Sequence, residues 1–319
     1  MALKILRCAA LAALAALACA PVRAQSPVAL MTAGDGSVFL PYGEGLAKYL
    51  TGHLADNGIA IDVKKSAGSN ENLDAIDASA STIGTVFMGS AYDAMQGIGW
   101  AAGRKHENLR ALFPMYETSF QVAALRESAL ASLAALDGKK VGVGPAKGPA
   151  EVFFRAAADA ARINPVIVNG DPAALVKALL AGEIDALWQG AAVPIASLKQ
   201  VTDQADAVVF GLSDAEVAAM LDKFPQLSAT TVAAGSYKGQ SAAIKSLAAW
   251  NFVVANKALP DEMAYAITKA VLSAADPRSE IYPAAAQTRA ANAAADRFMP
   301  FHPGARRFYN ETGVKLAVP

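Results

Sequence analysis

The chain of 319 residues carries 28 Lys and Arg against 28 Asp and Glu and is 54% hydrophobic. A balance so near neutral supplies no electrostatic reason to bind nucleic acid or an anionic membrane surface, so neither is expected as a partner. Both cysteines, Cys8 and Cys19, fall within the first 24 residues, which leaves everything beyond them without a disulfide or a thiolate metal ligand.

Those first 24 residues have the order of a secretory signal peptide. Lys4 and Arg7 supply the cations, Cys8 to Ala20 is an apolar run, and Val22-Arg23-Ala24 offers small residues where a peptidase would cut. The apolar part is too short to span a membrane comfortably. The mature chain is expected to begin at Gln25 and to work outside the cytoplasm, with 25 basic against 28 acidic residues. A competing form follows from Ala16-Leu17-Ala18-Cys19, which loosely resembles a lipobox and would anchor an acylated Cys19. The leucine sits one place off and a good cleavage site follows, so the unacylated form is preferred. No later segment reaches the ~18 consecutive apolar residues of a transmembrane helix.

Beyond the leader, β-like and helical patterns alternate. A strand is predicted over residues 28–31 and a helix over 39–54, where Leu46, Leu50 and Leu54 recur at helical spacing. A second strand over 59–63, a helix over 70–78 and a third strand over 83–88 follow. The first block ends near 109–113, and a new one is under way by 120–125. The rhythm resumes with strands over 141–143, 166–168 and 184–188, separated by helices over 150–161 and 172–182. Near the end come a strand over 250–254, a helix over 260–274 opened by Pro260, an Ala-rich helical region over 283–298 and a terminal helix over 303–312. Such alternation predicts α/β sheets with helices on both faces.

A terminal helical block with no new sheet must dock on a sheet already built. The first lobe is therefore expected to be discontinuous, residues 25–118 closed by 247–319, with 119–246 as the second lobe. Two α/β lobes joined by two crossings suggest a hinged clamp around a small molecule.

Several segments, in chain order, resemble the TAXI-type solute receptors of tripartite (TRAP) transporters. The opening loop Thr32-Ala33-Gly34-Asp35-Gly36-Ser37-Val38-Phe39-Leu40-Pro41 leads to a helix with Gly45-Leu46-Ala47. Gly68-Ser69-Asn70-Glu71-Asn72-Leu73 is similar to the second loop, and Ala91-Tyr92-Asp93-Ala94 follows the third strand. Leu136-Asp137-Gly138-Lys139-Lys140-Val141-Gly142-Val143-Gly144-Pro145 resembles the start of the second lobe. Ser236-Tyr237-Lys238-Gly239-Gln240, Leu259-Pro260-Asp261-Glu262-Met263-Ala264-Tyr265 and His302-Pro303-Gly304-Ala305 complete the set. The resemblance implies a two-lobed periplasmic binding protein of type II, with its cleft between the lobes. It implies delivery of a small, often carboxylate-bearing solute to a sodium-driven permease, with no cofactor.

Residue chemistry nominates the contacts. Glycines at a strand-to-helix junction let the backbone approach a ligand, and free N–H groups with the helix dipole favour an anion. Gly36, Ser37, Val38 and Phe39 in the first loop and Ser69 and Asn70 in the second are therefore candidate contacts, although capping alone would account for the polar ones. In the second lobe Lys147 and Gly148 stand at the comparable junction, Lys147 as an added cation. Where the resembled family commonly has Gln and Asp, this chain has Phe87, Met88, Gly89 and Ser90, and Trp188-Gln189 ends a comparable strand. With Phe87, Met88, Ser90, Trp188 and Gln189 lining the cleft, the solute would be an organic anion with an apolar body; core packing is the competing fate of the large residues.

Enzyme chemistry is not expected. His53, His106 and His302 are isolated and lack metal-ligand spacing, and Gly239-Gln240-Ser241-Ala242-Ala243 misses the last glycine of a nucleophile elbow. The rivals are other binding proteins: a receptor for an ABC importer of thiamine precursors or sulfonates, or a ligand-sensing partner of a signalling protein.

Overall fold

The computed structural model of the protein describes residues 27–318 except Gly36 and Lys147. The leader, the cut before Gln25 and Cys19 lie outside the described residues.

The fold opens with parallel strands. β1 (Val28–Met31) lies between β2 (Ile61–Lys64) and β3 (Thr82–Phe87), pairing Leu30 with Val63 on one side and Ile83 on the other. Helices α1 (Phe39–Leu54) and α2 (Ser69–Ala78) make the crossovers, and α3 (Met88–Gln96) follows β3 without a loop. Tyr42, Leu46 and Leu50 recur every four residues along α1 and are fully buried, the stripe that holds the helix on the sheet. A matching parallel unit, β5 (Lys140–Gly142), β6 (Val166–Val168) and β7 (Ala186–Ala191), is crossed by α4 (Pro149–Ala161) and α5 (Pro172–Leu180). Pro149 and Pro172 stand at first-turn positions, where a missing N–H costs no helical bond.

Two long antiparallel strands join these units. β4 (Leu109–Leu125) is one continuous strand where the sequence pattern suggests two pieces, and β10 (Ile244–Asn256) is far longer than the expected 250–254. The extra residues are held by pairing. β10 binds β4 along most of its length, while its other side changes partner from β9 (Leu227–Val232) to β3 at Asn251. β4 in turn leaves β10 after Phe120 and takes up β7 and β8 (Ala207–Phe210). The result is one curled ten-stranded sheet whose two halves share only these strands. Helices α6 (Ala196–Gln204) and α7 (Asp214–Lys223) complete the second half. A reciprocal Ser213–Glu216 capping box starts α7.

The C-terminal segment covers the open edge of β4 in the first half. Ala111 exchanges backbone hydrogen bonds with Pro300 and His302, and Thr288 Oγ1 donates to Met115 O at 2.9 Å. Helices α8 (Asp261–Leu272), α9 (Pro277–Glu280) and α10 (Pro303–Glu311) pack over it. Tyr309 donates to Leu112 O at 3.0 Å, and its ring meets Phe301 edge-on at 5.2 Å. Covering an edge in this way removes a template for association with other chains. The region expected as a helix over 283–298 forms two 3₁₀ turns, Pro283–Gln287 and Ala290–Ala295. Gln287 and Thr288 reach the β4 edge through side-chain hydrogen bonds to Glu117 N and Met115 O, and short turns suit that path better than a straight α-helix.

Within this segment Asp296 is 2% exposed. Its Oδ1 accepts from the Phe298 and Met299 amides, while Oδ2 has no partner among the described residues. Burial pushes its pKa up to about 6, the two amide bonds opposing the shift only in part. Folded Asp296 thus holds its proton where an unfolded aspartate has released it, so its contribution to stability falls as pH rises from about 4 to about 6. Relative to wild type, Asp296→Asn is expected to gain on the order of 2 kcal/mol between pH 4 and pH 7, on top of any constant cost of the amide. Urea unfolding at the two pH values measures that gain; a constant difference would show that Asp296 ionises normally in the fold.

Candidate functional site

A cavity of about 880 Å³ opens between the two halves of the sheet. Three helix starts meet there: Ser69 and Asn70 of α2, Gly89 and Ser90 of α3, and Gly148 and Pro149 of α4 all line it. Strands of each parallel unit end at this side, so free amides and positive helix-dipole ends face a common space.

The α2 start is tightly held. Gly68 has φ of +110°, a conformation that L side chains avoid, and this lets the chain turn from β2 into the helix. Asn72 is fully buried, and its Nδ2 donates to Thr32 O at 2.6 Å and Thr85 O at 2.8 Å, clamping loop, helix and β3 together. Ser69 Oγ accepts from the Phe87 amide at 2.9 Å, so the α2 and α3 starts move as one piece. Glu71 Oε2 accepts from the Ala67 amide at 2.8 Å. On the far side, Asn169 donates to Gly144 O at 3.1 Å and to Glu151 Oε2 at 2.9 Å, fixing the turn before α4.

The wall is aromatic. Phe87, Trp100, Phe153 and Phe224 line the cavity, and Phe87 from the first half meets Phe153 of α4 edge-on at 6.2 Å. Phe153 also contacts Phe224 at 5.5 Å and Phe120 at 5.2 Å. Trp100 Nε1 donates to Ser90 O at 3.0 Å, which holds the indole across the α3 start. Ile98 and Val152, each 48% exposed, stand on opposite sides of the opening. Glu71 and Asp93 are the charged side chains among the described lining residues. Burial raises the Asp93 pKa above the ordinary aspartate range.

Of the residues nominated from sequence, Ser69, Asn70, Phe87, Ser90 and Gly148 are brought together on this cavity. Lys147 and Gly36 lie outside the described residues; Ala146 and Gly148, which flank Lys147, both line the cavity. The other nominated residues lie off this lining. Ser37, Val38 and Phe39 are not among the lining residues: Ser37 Oγ accepts from the Phe39 amide at 3.2 Å, and Phe39 packs on Tyr116. Met88 is buried within the first half at 2% exposure, because the α3 start turns it from the opening. Trp188 is fully buried, stacked on Phe120 at 5.6 Å, with Nε1 donating to Ala150 O at 3.0 Å; it is a core residue behind the wall. Gln189 is also buried and outside the lining, its Nε2 without a partner among the described residues.

Trp100, Phe153, Phe224 and Asp93 were not nominated from sequence. Asp93 stood inside a resembling segment without a role, and Phe153 sits in the first turn of a predicted helix. Phe224 follows α7, a region without a clear strand or helix pattern of its own. Among the described residues no group of three or more His, Cys, Asp or Glu is placed to hold a metal ion. Nor is any helix there long and apolar enough to cross a membrane.

Residues 30–313 match the NMT1-like family. Among solved structures the chain is similar to MatC from Rhodopseudomonas palustris with bound malate, at 12% identity and TM-score 0.52, covering 82% of this chain and 90% of that one. It is similar to the periplasmic binding protein BugD at 12% identity and TM-score 0.52, covering 91% and 99%. A TctC solute binding protein from Polaromonas gives 14% identity and TM-score 0.54, covering 78% and 84%. At such identities the likeness establishes the fold, the two-lobed α/β architecture of periplasmic binding proteins.

Proposed function

The chain belongs to the NMT1-like family, and from that premise we propose that it is a periplasmic receptor that captures a small organic anion with an apolar body. The observation that carries this is the cavity between the two halves, where three helix starts and an aromatic wall face the same space. Anionic groups are favoured at helix N-termini by unpaired amides and the dipole, while the rings of Phe87, Phe153 and Phe224 shed water against an apolar body. The hinge is the β4–β10 pair, and closing it would bring Ile98 toward Val152 and bury both.

In this proposal the captured solute passes to a TRAP-type permease. The resemblance of the 32–41, 68–73 and 302–305 segments to TAXI-type receptors supports that partner. Thermal shift against a panel of carboxylates, sulfonates and amino acids tests the receptor assignment, since a ligand that binds only the native state raises its melting temperature. No stabilisation by any member of the panel would count against it. Lys147→Ala is expected to weaken an anionic solute roughly thirtyfold, the loss of a charge-assisted hydrogen bond of about 2 kcal/mol. Unchanged calorimetric affinity would return Lys147 to the solvated surface.

A further inference from the structure

Acceptors without partners among the described residues face the cavity from both halves. No hydrogen bond or ion pair reaches the Asp93 carboxylate among the described residues, and Asp93 lines the cavity one helical turn beyond Ser90. The carboxylate lies close against the backbone: a Cβ added at Gly99 would fall 2.5 Å from Asp93 Oδ2. From the other half comes Gln226, also a lining residue, whose buried Oε1 has no partner among the described residues. Around them stand the rings of Phe87, Trp100, Phe153 and Phe224.

A half-buried carboxylate without a partner is unfavourable unless something neutralises it. The same burial raises its pKa above the ordinary aspartate range. Aromatic faces attract cations through their quadrupoles, most strongly where water is excluded. A carboxylate and several rings in one cleft therefore form a site for an ammonium group. The helix starts at Ser69 and Ser90 remain available to an anionic group, and residues three apart on a helix lie only about 5–6 Å from each other.

We infer that Asp93 is a specificity-determining contact that receives an ammonium group of the solute, so that the captured molecule carries a cationic nitrogen beside its anionic group on an apolar body. This rests on the receptor assignment above and narrows its solute class. Gln226 Oε1 takes a second N–H from the same molecule or from its polar substituent once the halves close.

Three probes with one phenyl body separate the charges: 3-phenylpropanoate carries only the carboxylate, phenethylamine only the ammonium, and phenylalanine both. Calorimetry on the wild-type protein is expected to show phenylalanine binding more tightly than either 3-phenylpropanoate or phenethylamine. Asp93→Asn should weaken the two ammonium probes by about tenfold or more and leave 3-phenylpropanoate unchanged or improved. The substitution keeps shape and removes no bond among the described residues, so the variant should fold with a melting temperature at or above that of wild type. Equal or tighter binding of 3-phenylpropanoate, or an Asp93→Asn variant that keeps its affinity for the ammonium probes, overturns the inference. Binding of panel anions without binding of any ammonium probe does the same and leaves the receptor assignment standing. No binding by the panel or the probes removes both.

Discussion

Trp188→Ala should cost about 4 kcal/mol of folding stability, among the largest effects of any single substitution in this protein. The side chain is fully buried, stacks on Phe120 at 5.6 Å and meets Phe154 at 5.4 Å. Truncation removes that apolar area and leaves a void that the surrounding strands can close only in part. It also strips Ala150 O of the indole donor that ties the first turn of α4 to β7. Because Phe120 supports Phe153, and Phe153 lines the cavity, ligand affinity falls as a secondary effect of a loosened wall. Trp188→Phe keeps much of the packing and loses the donor, so it should cost about 1–2 kcal/mol. Urea unfolding orders the two variants. A Trp188→Ala protein of wild-type stability with abolished binding would mean that the indole faces the solute after all.

Gly304→Ala is the second large effect, expected at about 3 kcal/mol through overpacking. A Cβ there would stand 2.1 Å from Asp261 O and 2.8 Å from Tyr265 N, and both neighbours are backbone of α8 that no rotamer change can move. The α8–α10 contact would have to open, disturbing the Arg307 guanidinium over the Tyr265 ring at 3.8 Å and its paired bonds to Glu262. The site is remote from the cavity lining, so the folded variant should bind with wild-type affinity. Stability within a few tenths of a kcal/mol of wild type would show that the two helices separate at little cost.

His302-Pro303-Gly304-Ala305 thus owes its form to helix packing. His302 Nδ1 accepts from the Gly304 amide at 3.2 Å, Pro303 opens α10, and Gly304 admits α8. The 68–73 segment combines both roles: Asn72 clamps the fold, whereas Ser69 and Asn70 reach the cavity.

What the sequence determined by itself was local. The α/β rhythm, the bounds of β1, α1 and β6, the start of α5 at Pro172 and the Ser69–Asn70 loop follow from side-chain period and turn chemistry. These signals span only a few residues, so they are readable without knowledge of neighbours. Tertiary structure alone decided the full lengths of β4 and β10, because the residues past their apolar centres are held by strands far away in the chain. It also decided which large side chains meet the cavity. Phe87 and Trp188 both sit in strands rich in apolar neighbours, and nothing local separates them. Phe87 ends its strand where the sheet halves part, whereas Trp188 lies inside the second half under α4, pinned by Phe120 and the Ala150 carbonyl. Asp93, Phe153 and the Phe224–Gln226 stretch belong to three separate segments, and only the curl of the shared sheet brings them to one space. Burial depends on packing between elements distant in sequence, and a period of two or of 3.6 carries no record of it.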